Sequence, residues 1–172
     1  NKLKNLREKD HKIKIIKLMR NFGQHNAIFC GFKYCEGNYI IIMDDDLQNP
    51  PEEITKLINK IQNENLMVVY GKYPNKCHGL IQNFFSGRFR WLMSKILKIP
   101  NGIFISSFVV CRKEVINNAL KTRTSYPFLT ALIIKNTPIN KIANIETLHC
   151  PRKSGKSNYN FLKWVRMSKN LV

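Results

Sequence analysis

The densest chemistry in the sequence is Asp44-Asp45-Asp46-Leu47-Gln48-Asn49-Pro50-Pro51, which directly follows the apolar run Tyr39-Ile40-Ile41-Ile42-Met43. In an extended chain alternate side chains point the same way, so Asp44 and Asp46 can converge on one point while Asp45 points elsewhere. Two carboxylates held together repel each other unless a cation lies between them. Hard oxygen ligands select magnesium or manganese, ions that also bridge phosphate oxygens. Gln48 could add a carbonyl ligand. The simpler alternative is an acidic turn that caps the next helix. Its place at the end of a buried strand, in a strongly basic chain, favours the metal.

Two further segments carry candidate chemistry. Arg20-Asn21-Phe22-Gly23-Gln24-His25-Asn26-Ala27 places a turn-forming glycine, amides and an imidazole at a helix N-terminus, a place that suits anions. A plain loop with Asn21 or Gln24 as helix cap is the alternative. Pro151-Arg152-Lys153-Ser154-Gly155-Lys156-Ser157-Asn158-Tyr159 has the look of a phosphate loop, but the G-x-x-x-x-G-K-[ST] spacing is absent, so a nucleoside-triphosphatase is excluded. Arg152 and Lys156 could still hold a phosphate, as against a merely solvated basic loop. The basic aromatic stretches Phe84 to Trp91 and Tyr159 to Val172 suit nucleic acid, a membrane surface, or simply a core face opposite a solvated one.

The elements that must position these groups follow from periodicity. Residues 1–10 read as the end of a helix and Lys14 to Leu18 as a short strand. Gln24 to Cys35 reads as a helix stopped by Gly37. The run Tyr39 to Met43 has the signature of a strand buried on both faces. Pro50-Pro51-Glu52-Glu53 starts a helix that continues through Ile54, Leu57, Ile58 and Ile61. Leu66 to Tyr70, Ser107 to Cys111 and Ile139 to His149 read as strands. Gly79 to Leu97, Lys113 to Lys121, Pro127 to Lys135 and Tyr159 to Leu171 read as helices. Alternation of helix and strand in the first half implies an α/β sheet with covering helices, whose ligands bind at the carboxyl ends of the strands.

The 172 residues suffice for about one domain. Hydrophobic residues make up 44% and charged residues 23%, a globular balance that argues against disorder. No apolar run of about 18 residues exists to span a bilayer. The formal charge of +18 predicts attraction to polyanions: nucleic acid, anionic lipid or phosphorylated substrates. The 5 cysteines, Cys30, Cys35, Cys77, Cys111 and Cys150, lack the clustering of a zinc site and read as ordinary thiols in a reducing compartment. The chain opens on Asn1 rather than Met, which reads as a piece of a longer protein.

Taken together and in order, Arg20 to Ala27, Met43 to Glu53 and Arg152 to Tyr159 resemble the family 2 glycosyltransferases of the polyprenyl-phosphate, dolichyl-phosphate mannosyltransferase-like branch. The resemblance implies an α/β fold of GT-A type, a mixed, mainly parallel sheet with covering helices, here without its first strand or strands and without the family's acidic nucleotide-binding motif. It implies a partial GT-A domain over residues 1–158 and a basic amphipathic juxtamembrane helix over residues 159–172. The implied reaction is inverting, metal-dependent transfer of a sugar from a nucleotide-diphosphate donor to a polyprenyl (undecaprenyl or dolichyl) phosphate, in cell-envelope glycan or lipid modification at the cytoplasmic face of the membrane.

By the same resemblance Asp44, Asp46 and Gln48 hold Mg2+ or Mn2+, with Asp46 as the catalytic residue. Gln24, Arg152, Lys156 and Ser157 bind substrate. A lipid phosphate is already anionic and needs little help from a general base. Where many members carry Gly-Asp-Phe-Arg, this chain reads Ile105-Ser106-Ser107-Phe108-Val109, which suggests a sub-branch with its own sugar. Nucleic acid is not an expected partner, and self-association is left open. The rival readings are a basic nucleic-acid-binding domain, which leaves the acids at the strand end unexplained, and a catalytically inactive glycosyltransferase fragment.

Overall fold

The structure, a computed structural model, describes residues 2–73 and 102–150. The helices expected over 79–97 and 159–171, the basic loop with Arg152, Lys156 and Ser157, and Cys77 lie outside the described residues. In chain order the elements are α1 (Lys2–Lys9), α2 (Gln24–Phe32), β1 (Tyr39–Ile42), a 3-10 turn at Pro51–Glu53 leading into α3 (Ile54–Asn63), β2 (Val68–Lys72), β3 (Val109–Arg112), α4 (Lys113–Leu120), α5 (Leu129–Lys135), a 3-10 turn at Ile139–Lys141 and β4 (Ile142–Glu146).

The strands form one mixed sheet in the order β1-β3-β2-β4. β3 runs antiparallel to both β1 and β2, whereas β2 and β4 are parallel. Strands β1, β2 and β4 therefore point the same way, with β3 reversed between them. The register pairs Val109 with both Ile42 and Tyr70. The start of β3 consequently lies at the same end of the sheet as the last residues of β1 and β2.

Strand periodicity explains why the apolar runs are continuous. Ile40, Val68, Tyr70, Val109, Cys111 and Ile142 pack in one cluster with Phe32 of α2, Val115 and Ile116 of α4 and Ile133 and Ile134 of α5. The alternate residues Val69 and Val110 pack on the other face with Leu57 and Ile61 of α3, joined by Ile41, Met43, Ala143 and Ile145. Each strand is covered on both sides, so both sets of side chains must be apolar. β1 lies at the end of the strand order and is less enclosed than its sequence suggests, since only Ile40 of its four residues is buried.

Several local expectations shift. Residues 14–18 carry no strand; Ile15 and Ile16 are 36% and 40% exposed, and a β run without a ladder to satisfy its backbone is not stable in water. α2 ends at Phe32, before the expected Gly37, and its tail tightens into three-residue turns in which Lys33, Tyr34 and Cys35 donate to Cys30, Gly31 and Phe32. The long strand expected from Ile139 begins only at Ile142, because Pro138-Ile139-Asn140-Lys141 winds into a turn first. Cys30, Cys35, Cys111 and Cys150 are unpaired thiols, and burial pushes the Cys111 thiol far up from its usual range.

Candidate active site

The acidic turn hangs off the carboxyl end of β1. Asp44 and Asp46 are half-buried and Asp45 is exposed, although the chain is no longer extended here and bends from Asp45 to Asn49. The Asp46 carboxylate accepts a bond from the backbone N–H of Gln48 at 3.2 Å, which closes the turn. Leu47 adopts φ 59 and remains 56% exposed, a left-handed geometry that costs an ordinary side chain about 1 kcal/mol.

Asp44 is reached from another element. The Nε2 of Gln24, the first residue of α2, donates to Asp44 Oδ1 at 2.8 Å. Neither Gln24 nor Asn21 caps the helix: Gly23 stands at the cap with φ 85, and the N–H of Gly23 donates instead to Asn21 Oδ1 at 2.9 Å. Asn26 Nδ2 donates back to the Phe22 carbonyl at 3.0 Å, and the Arg20 guanidinium lies 4.7 Å from the Phe22 ring centre. The loop is wound on its own amides, which leaves Gln24 to face the acids. His25 turns the other way, edge-on to Phe128 at 5.5 Å, and burial lowers its pKa from 6.5.

The segment after β4 is fastened to the same turn. Cys150 N–H donates to the Gln48 carbonyl at 2.8 Å, and Gln48 Nε2 donates to the Cys150 carbonyl at 3.3 Å. Gln48 thus serves as a strap between the acidic turn and the β4 exit. Glu53, an acid of the helix start, is 4% exposed. Its carboxylate pairs with Lys56 at 2.8 Å and accepts the Leu148 N–H at 3.3 Å. Buried charge is tolerated only when paired and hydrogen-bonded in this way.

The residues that sequence reasoning missed come from the ends of the other strands. Tyr73, just past β2, donates its hydroxyl proton to Asn49 Oδ1 at 2.8 Å, and Asn49 is 2% exposed. The Ser106 hydroxyl donates to the Phe108 carbonyl at 2.8 Å, and Ser106, Ser107 and Asp44 all lie near enough to the phenol to act on its titration. Burial, the main cause, and the Asp44 charge raise the Tyr73 pKa. The Tyr73 ring centre lies 4.3 Å from that of His149 and 6.0 Å from that of Phe104. Phe104 is fixed by Asn144 of β4, whose side chain accepts its N–H at 2.7 Å and donates to its carbonyl at 2.6 Å. No signal in the sequence marks Tyr73, whose partners are far away in the chain.

The donor set suits a hard divalent cation. Among the described residues no group of three or more His, Cys, Asp and Glu side chains could enclose a metal. Mg2+-type ions do not need one: one or two carboxylates suffice when waters and a substrate's phosphates complete the shell. Asp44 and Asp46, half-exposed at the sheet end, fit that pattern.

Residues 1–120 match the family model described as Glycosyl transferase family 2. The chain is 32% identical over 165 residues to an undecaprenyl-phosphate 4-deoxy-4-formamido-L-arabinose transferase of Proteus mirabilis, covering 96% of this chain and 49% of that protein. It is 30% identical to the protein of the same description from Klebsiella pneumoniae, with the same coverage of each. The chain thus spans about half the length of the curated relatives it matches. Among solved structures, the glucosyl-3-phosphoglycerate synthase of Mycobacterium tuberculosis in complex with Mn2+, uridine-diphosphate-glucose and phosphoglyceric acid superposes with a TM-score of 0.59 at 14% identity, over 96% of this chain and 56% of that one. That likeness carries the fold, GT-A-like and mixed, and the match over residues 1–120 carries the family: the chain belongs to glycosyl transferase family 2.

Proposed function

We propose that the chain forms part of an inverting glycosyltransferase that moves a sugar from a nucleotide-diphosphate donor to a polyprenyl phosphate, in modification of the cell envelope. The observation that carries this reading is the convergence on one sheet end of the acidic turn, Gln24 of α2 and the β4 exit, joined by side-chain bonds. The descriptions of the relatives from Proteus and Klebsiella support undecaprenyl phosphate as the acceptor class. The Mn2+ and uridine-diphosphate-glucose bound by the structural neighbour support a nucleotide sugar and a divalent cation.

Asp44 and Asp46, with the Gln48 side-chain oxygen, would hold Mg2+ or Mn2+, whose charge offsets that of the departing nucleotide diphosphate. Gln24 keeps the Asp44 carboxylate oriented. An acceptor phosphate oxygen attacks the anomeric carbon of the donor sugar from the face opposite the departing diphosphate. The new carbon–oxygen bond forms as the bond to the diphosphate breaks, so the configuration inverts. The acceptor oxygen is already an anion, so no residue has to remove a proton. Arg152, Lys156 and Ser157, on the basic loop that follows Cys150 in the chain, are assigned to the substrate phosphates.

A lipid acceptor requires approach to a bilayer, and the cytoplasmic face is where nucleotide sugars are met. No helix among the described residues is long and apolar enough to cross a membrane. The segment 159–172 carries Phe161, Leu162, Trp164 and Val165 beside Lys163, Arg166 and Lys169, and is assigned to the lipid boundary. The test is sugar transfer by the full-length protein to undecaprenyl phosphate with Mg2+ or Mn2+. Transfer should stop on chelation and return on readdition of metal. Transfer that persists in chelator would overturn the metal assignment, and none to any polyprenyl phosphate would overturn the acceptor class.

A further inference from the structure

Three chain segments that are distant in sequence meet on one side chain, Tyr73. Its hydroxyl donates to Asn49 in the acidic turn at 2.8 Å, its ring stands 6.0 Å from that of Phe104 in the segment before β3, and 4.3 Å from that of His149 past β4. Packing alone could be supplied by phenylalanine, since the ring already stands edge-on to Phe104. The hydroxyl therefore has a separate task. It has one proton, and that proton goes to Asn49 rather than to the Asp44 carboxylate that faces it. Asn49 is 2% exposed and stands one residue beyond Gln48, so holding its side chain fixes the back of the turn that carries Asp44, Asp46 and Gln48.

We infer that Tyr73 is a positioning residue for the acidic turn, holding it through Asn49 in the shape that binds a divalent cation with a nucleoside diphosphate. This rests on the glycosyltransferase reading above. Residues that orient metal ligands from behind typically change affinity or activity by about 10- to 100-fold when removed.

The experiment is Mn2+ binding to the full-length protein, read by electron paramagnetic resonance with uridine diphosphate as probe, alongside transfer kinetics and thermal unfolding. Tyr73→Phe should weaken Mn2+ binding about tenfold and lower kcat, leave the KM for lipid phosphate unchanged, and barely move Tm because the ring stays. Asn49→Ala should give a similar loss. The double variant should be no worse than either single one, because both break the same bond. A Tyr73→Phe protein with wild-type Mn2+ affinity overturns the proposal, whether or not Tm falls. Additive losses in the double variant overturn the route through Asn49. If the wild-type protein itself binds no Mn2+ with the diphosphate, the metal reading of the acidic turn fails, which is a different result from loss in the variant alone.

Discussion

The interior of the sheet and the rim at the carboxyl ends of its strands are built on different principles. Inside, Leu57, Ile61, Val69 and Val110 are fully buried and hold one another through apolar contact, and Val68 is equally buried on the other face of the sheet. At the rim, polar side chains cross between segments: Gln24 to Asp44, Tyr73 to Asn49, Gln48 to Cys150, Glu53 to Leu148. Burial is non-directional and summed over many atoms. A hydrogen bond is directional, and each contributes only about 1 kcal/mol net. Stability should therefore reside in the interior, and ligand geometry in the rim.

The largest expected effect tests the interior. Leu57, at 0% exposure between α3 and the sheet, should cost about 2–5 kcal/mol when cut to alanine, measured by urea unfolding. A loss below 1 kcal/mol would mean that this face of the sheet is not the main source of stability. On the rim, Asp46→Asn should lower sugar transfer about a hundredfold, roughly 2.7 kcal/mol of barrier, with Tm nearly constant. Asp45→Asn, at an exposed carboxylate, should keep most activity. Equal losses in the two variants would remove the distinction between them.

Gly71 lies where interior and rim meet. A Cβ there would stand 2.8 Å from Thr147 Oγ1 and 3.0 Å from Phe108 Cδ1. Gly71→Ala should destabilise by about 1–3 kcal/mol through overpacking and also disturb the β4 exit, since the Thr147 N–H donates to the Lys72 carbonyl at 3.0 Å. Thermal melts and transfer rates should fall together, unlike in either of the preceding cases.

The smallest effect is a pH slope. Among the described residues no group bonds the buried Nδ1 of His25, and desolvation lowers its pKa from 6.5. As pH falls through 6.5 the unfolded chain takes up this proton before the folded one does. Stability from His25 is thus present above pH 6.5 and is lost as pH falls toward the lower folded value. His25→Gln should flatten that part of the stability–pH curve relative to wild type. An unchanged curve would show that His25 titrates normally.

The apolar runs and their punctuation were enough to place β1 to β4, α3, α4 and α5 within a few residues, because burial on both faces of a sheet leaves a pattern that local reading detects. The acidic turn was readable for the same reason: it follows a strand directly, and alternation alone separates Asp45 from Asp44 and Asp46. Residues 14–18 were misread because an apolar stretch shows strand propensity whether or not a partner lies beside it. The sequence marks Glu53 only as a helix-start acid, and tertiary structure alone buries it against Leu148, 95 residues further on. Tyr73 and His149 belong to the site solely because β2 and β4 are parallel neighbours whose ends emerge together. Types and spacing along the chain determine which residues can do chemistry locally. Which distant side chains share that place depends on strand order and register, set by the whole core and by no single segment.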